Sequence, residues 1–270
     1  MRIRAGFRIS YQCDQPQPII VMLNVHPSLD ARLCTPDILR VDCDLDLRQY
    51  VDGFGNVCTR TVLPAGLTTF SSDFAIEDAG LPDEVAFDAR QTAVEDLPEQ
   101  ALVYLLGSRY CETDRMVDLA WSLFGETPRG WPRVQAIINY THDRIAFNYA
   151  HASATRTAFE ANEERIGVCR DYAHLAITLC RCMNIPARYC TGYLGDIGVT
   201  PMDYPMDFSA WIEAFLDGEW RTFDARHNTP RIGRILMARG RDATDVALST
   251  TFGATRLSGF EVTTYELAEP

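Results

Sequence analysis

Apolar and polar residues alternate at the start of the chain. Ile3, Ala5, Phe7, Ile9 and Tyr11 are interleaved with Arg2, Arg4, Arg8 and Ser10, and the period of two returns where Leu39, Val41, Cys43, Leu45 and Leu47 meet Arg40, Asp42, Asp44, Asp46 and Arg48. This period predicts half-buried strands. The turn-forming Asp52-Gly53-Phe54-Gly55-Asn56 predicts a hairpin into 57–63, closed by Pro64-Ala65-Gly66, and a further extended segment covers 67–76. Past Gly80-Leu81-Pro82-Asp83 and the acidic loop around Glu95-Asp96 the period becomes helical. Asp114 is placed to cap a helix carrying Val117, Ala120, Trp121 and Phe124. A second helix after Trp131-Pro132 carries Val134, Ile137 and Ile138; a short one spans 157–164, and 259–267 ends the chain as a strand. The change of period divides the chain into an N-terminal β-rich domain, 1–90, and a second domain, 91–270, in an α+β protein with antiparallel strands.

Residues 165–194, RIGVCRDYAHLAITLCRCMNIPARYCTGYL, organise the second domain. Tyr172, Ala173, Ala176, Leu179, Cys180 and Met183 form one apolar helical stripe, Asn184-Ile185-Pro186 stops the helix, and an extended segment follows from Ala187. Cys169 falls in the first turn. There the unpaired backbone N–H groups and the helix dipole favour negative charge, which predicts a lowered thiol pKa and a reactive thiolate. Further on, Asp217-Gly218 between residues 211–216 and 220–223 predicts a tight hairpin turn.

The charge of −12, with no concentrated basic face, excludes a nucleic-acid partner, and no run of residues is apolar enough to span a membrane. The start lacks a long apolar leader, so a cytoplasmic location is the expectation. Every one of the 25 basic residues is arginine, so crosslinking of the protein through its own lysines is ruled out. Nine cysteines without a CxxC pair read as mostly reduced; Cys180 and Cys182 point to different helix faces, which disfavours a shared metal ion, and no cofactor motif is present. The oligomeric state is left open.

GVCRDYAHL, NIPARYCTGYL and AWIEAFLDGEWRTFDARHN, in that order, resemble the bacterial transglutaminase-like cysteine enzymes, and the β-rich front resembles the region that precedes their papain-type core. The resemblance implies a helix-plus-antiparallel-sheet catalytic domain acting on a peptide, protein or small amide. A cysteine attacks the carbonyl to form a thioester that water or an amine resolves, a histidine on the hairpin moves the proton, and an aspartate holds the imidazole. By position Cys169 is the nucleophile and Asp224 the orienting carboxylate. The histidine position, just before Ala210-Trp211, holds Ser209.

A serine hydroxyl is too weakly basic to accept a thiol proton at neutral pH. Of the five histidines, His26 lies in the β front, His142 and His151 precede the cysteine turn, and His174 is about 140° round the helix from Cys169. Counting outward from Asp217-Gly218 pairs Ser209 with Arg226 and brings His227 next to the vacated position, provided that a bulge or loop turns it inward. His227 is therefore the candidate base. The alternative is a transglutaminase-like binding or scaffolding module without catalysis, marked by Ser209.

Overall fold

The computed structural model describes residues 1–201 and 205–268. Its first third is built from β1 (Arg2–Cys13), β2 (Gln17–Val21), β3 (Arg40–Val41), β4 (Arg48–Val51), β5 (Val57–Leu63) and β6 (Gly66–Glu77). The alternation at the start is borne out: Ile3, Ala5, Phe7, Ile9 and Tyr11 of β1 are all buried, and β1 pairs antiparallel with β6. The second alternating segment is not one strand. Arg40–Val41 joins β6, Arg48 already belongs to β4, and the hairpin into β5 is made by β4, with Val51 opposite Val57.

The helices follow as α1 (Glu99–Leu102), α2 (Thr113–Phe124) and α3 (Trp131–Arg144), then β7 (Ala146–Phe147), α4 (Ala158–Glu164), β8 (Ile166–Gly167) and α5 (Cys169–Cys182). α2 already includes Asp114, which lies in its first turn and is not its cap. The inward face of α2 is Met116, Ala120 and Phe124, and Trp121 is 46% exposed. Thr157 caps α4 in a reciprocal capping box with Glu160.

The chain then forms β9 (Ala187–Leu194), β10 (Ser209–Leu216), β11 (Glu219–Phe223), β12 (Arg234–Gly240), β13 (Ser249–Thr251) and β14 (Thr255–Leu267). Four of these make an antiparallel sheet in the order β11-β10-β9-β12. Asp217 and Gly218 both have positive φ, 53° and 82°, and Leu216 faces Glu219, so the hairpin turn is the one expected. β12 approaches β9 so closely that a Cβ on Gly192 would stand 2.0 Å from the Ile235 carbonyl oxygen, which reserves that position for glycine.

β13 and β14 correct the division at residue 90. β14 pairs with β1 along nearly its whole length and β13 pairs with β2, giving sheets β14-β1-β6-β3 and β13-β2-β5-β4. The N-terminal β unit is therefore completed by residues from the far end of the chain. Its core, with Ile3, Phe7, Ile19, Leu63 and Phe70, continues into Tyr193, Phe208, Ile235 and Met237 of the second unit.

The sheet of β9 to β12 is thus covered on one side by the β unit and on the other by helices, and all eight residues of β9 are buried. α5 goes further than the predicted stripe: every residue from Asp171 to Cys182 is buried, because α2, α3, α4 and the sheet surround it. Leu179 is fully buried at its centre. Leu179→Ala is expected to lower stability by ~2–5 kcal/mol in a denaturant titration, since it removes packed methyl groups and leaves a cavity; a loss under ~1 kcal/mol would show that this helix does not anchor the core.

No helix among the described residues is long and apolar enough to cross a membrane, and no cluster of three His, Cys, Asp or Glu residues among them could hold a metal ion.

Candidate active site

Val168 is the extended residue before α5, and Cys169 opens the helix. The Asp171 carboxylate fixes this start: it accepts the Val168 N–H at 2.8 Å and the Arg156 guanidinium at 3.2 Å, and it is itself 1% exposed. The N–H groups of Cys169 and Arg170 precede the first helical bond, which the Asp171 N–H donates to the Val168 carbonyl at 2.8 Å. Cys169 is half-buried and packs against the helical core.

Its thiol differs from the sequence expectation. Burial pushes it up to about 11; the Arg226 charge and a hydrogen bond from the Ala210 backbone pull the other way, while the Asp207 and Asp224 carboxylates add to the rise. The helix start alone does not make a standing thiolate in this resting arrangement.

Ser209 is the first residue of β10 and is buried; it pairs with Gly192 of β9, and its carbonyl accepts the Thr191 hydroxyl at 3.1 Å. The expected pairing with Arg226 does not form, because the β10–β11 ladder ends at Ile212 opposite Phe223. From Asp224 the chain leaves the sheet in a turn. Asp224 Oδ1 accepts the backbone N–H groups of Arg226 and His227, both at 3.0 Å, and Oδ2 receives His227 Nδ1 at 2.9 Å. His227 therefore lies outside the strand, in a turn held by Asp224.

Asp224 has a second partner. Arg234, at the start of β12, donates Nη2 to the same Oδ2 at 2.9 Å, donates Nε to both carboxylate oxygens of Asp83 at 2.9 Å, and lies 5.1 Å from the centre of the Trp211 ring. Burial alone would raise the Asp224 carboxyl; the Arg234 charge and the His227 bonds outweigh it and hold the group well below the usual carboxylate range. Asp224 therefore stays ionised and accepts the Nδ1–H of His227.

His227 and Ser209 share the wall of a cavity of about 60 Å³ with Tyr149, Asp207, Arg226 and Leu194. Arg226 packs over the Phe147 ring at 3.9 Å. Burial raises the Asp207 carboxyl against the pull of the Phe208 N–H and Arg226.

The other histidines sit elsewhere. His26 Nδ1 accepts the Ser28 N–H at 3.1 Å in the β unit. His174 accepts the Ala243 N–H at 3.1 Å on Nε2, is stacked on Tyr110 and is fully buried, with burial lowering it to about 3. His151 belongs to an exposed turn. His142 has a structural task that its sequence position did not reveal: its Nδ1 meets the Ala225 carbonyl at 3.1 Å and ties α3 to the loop that carries His227. Arg234, Asp83, Asp207 and Tyr149 also escaped the sequence reading, since they come from segments with no motif of their own.

The family model of the transglutaminase-like superfamily matches residues 120–225, a stretch that contains Cys169, Ser209 and Asp224 and stops two residues short of His227. An uncharacterized protein of Mycobacterium leprae is 26% identical over 208 residues, 74% of this chain and 73% of its own length. Among solved structures, a candidate cysteine protease from Cytophaga hutchinsonii superposes with a TM-score of 0.86 at 27% identity, over 100% of this chain and 92% of that one.

Proposed function

Because residues 120–225 carry the transglutaminase-like superfamily core, we propose that the protein is a cysteine-nucleophile amidase or peptidase that works through a Cys169 thioester, with His227 in place of the imidazole that Ser209 does not supply. The observation that carries the reading is the Asp224–His227 bond of 2.9 Å, made by a carboxylate whose charge reaches the Cys169 thiol. The similarity to a candidate cysteine protease over the whole chain supports water as the resolving nucleophile and a peptide or protein as the substrate.

In this mechanism His227 Nε2 accepts the thiol proton as sulfur attacks the scissile carbonyl carbon, so the carbon–sulfur bond forms without a free thiolate at rest. The oxyanion faces the Cys169 N–H at the helix start. The imidazolium, held by the Asp224 charge, returns the proton to the leaving nitrogen as the carbon–nitrogen bond breaks. Water then adds to the thioester with its proton passing to His227, and the carbon–sulfur bond breaks to restore the thiol. Arg226 stabilises sulfur as it gains charge.

Ser209, at the position that the resemblance gives to histidine, favours a second reading, a peptide-binding module without turnover. The two separate on one measurement set. With a library of fluorogenic peptide amides, the proposed enzyme gives turnover that Cys169→Ala abolishes and that Ser209→His preserves or raises. Turnover absent from both the native protein and Ser209→His, with peptide binding retained, establishes the module.

A further inference from the structure

A second cavity lies on the other side of the Phe223-Asp224 step. It measures about 230 Å³ and is walled by Val85, Phe87, Trp131, Ile138 and Phe223. Its charged lining is acidic throughout: Asp83, Glu84 and Asp224.

Two features distinguish it from a packing gap. Trp131 is 4% exposed, and its indole Nε1 is buried with no hydrogen-bond partner among the described residues, although Trp and Tyr polar atoms find a partner as a rule when buried. The mouth is apolar as well: Phe87, on the irregular segment after β6, is 74% exposed while its ring meets Trp131 edge-on at 6.2 Å. A large aromatic ring left in water at the entrance of an apolar cavity is the pattern of a ligand site.

We propose that this cavity binds a small uncharged aryl compound carrying one hydrogen-bond acceptor, with the acceptor on the Trp131 N–H and the ring among Phe87, Ile138 and Phe223. Size sets the class, because an apolar cavity of roughly 150 Å³ already holds benzene, so 230 Å³ suits a single substituted ring and not a length of peptide. Charge sets the rest: each lining carboxylate is already paired with an arginine, Asp83 and Asp224 with Arg234 and Glu84 with Arg221, so the wall offers an anion no cation of its own. Phe223 is both a wall of the cavity and the residue before Asp224, so an occupant presses on the backbone that presents the carboxylate to His227.

The probes are acetophenone, its acceptor-free counterpart ethylbenzene, and benzoate. In nitrogen-edited NMR spectra of the full chain, acetophenone is expected to move the Trp131 indole N–H resonance saturably, ethylbenzene to bind about threefold to tenfold more weakly for want of the hydrogen bond, and benzoate to leave the resonance in place. Trp131→Phe should erase the difference between the first two. Phe87→Ala, at an exposed position that the fold does not need, should weaken both alike. A Trp131 resonance that acetophenone does not saturate, or a preference for acetophenone that survives in Trp131→Phe, overturns the proposal, and neither outcome depends on the chemistry at Cys169.

Discussion

His227→Ala is expected to lower kcat/KM for peptide-amide cleavage by ~10²–10⁴, the range over which a positioned acid–base group contributes. The expectation rests on the division of labour around Asp224. One carboxylate oxygen takes two backbone N–H groups, which sets the turn; the other takes the imidazole Nδ1, which sets the tautomer. With the thiol pushed up to about 11 by burial, very little thiolate exists at neutral pH, so a base has to act in the same step as attack.

A histidine that merely packs would give a different pattern. His227→Gln keeps a donor for Asp224 but has no base, and should be as slow as His227→Ala. Ser209→His in the His227→Ala background should restore part of the rate, because it returns an imidazole to the position next to Ala210. A His227→Ala protein within about twofold of the native rate, in an enzyme that Cys169→Ala inactivates, would remove His227 from the chemistry.

Much of this site was legible because its signals are local. Cys169 at a helix start follows from one stripe and one stop, and Asp217-Gly218 fixes a hairpin because both residues must take positive φ. Counting outward from that turn points to His227, although the ladder assumed in the count stops at Phe223 and the residue arrives by a turn around Asp224. The environment of the thiol was not legible. Arg226 and Asp207 stand 57 and 38 residues from Cys169 in the chain (226 minus 169, 207 minus 169), and only the fold sets their charges beside it.

The same distinction governs the fold. Alternation in β1 is a property of neighbouring residues, whereas the closing of the first sheet by β14 pairs Arg2 with Leu267 and leaves no trace in either segment alone. The segment around Leu39 to Leu47 alternates but pairs only at its start, where Arg40–Val41 joins β6 and Asp42 bonds to Thr69, since Asp44 and Asp46 continue a run of charge where a sheet neighbour would have to approach.

Arg234→Met is expected to cost about 3–5 kcal/mol, the range for breaking a buried ion pair by removing one partner. Arg234 bridges Asp224 and Asp83, 151 residues apart in the case of Asp83, and its side chain is 8% exposed against 2% and 15% for the two carboxylates. Methionine fills similar volume and still packs on Trp211, so the loss reports chiefly the stranded charges. Arg234→Lys should recover only part of it, because a single ammonium cannot span both carboxylates in the way that Nε and Nη2 do. The pH dependence has a definite sign. Asp224 has a carboxyl held below its ordinary value in the fold, so its contribution is complete above the unfolded value near ~4 and is lost as the pH falls below it. The gap between native and Arg234→Met stability should therefore be widest at neutral pH and narrow in acid below ~4. Denaturant titrations at pH 7 and pH 3 test both statements; a deficit under ~1 kcal/mol at pH 7, or one that widens in acid, would show that Arg234 does not hold Asp224 in its ionised form.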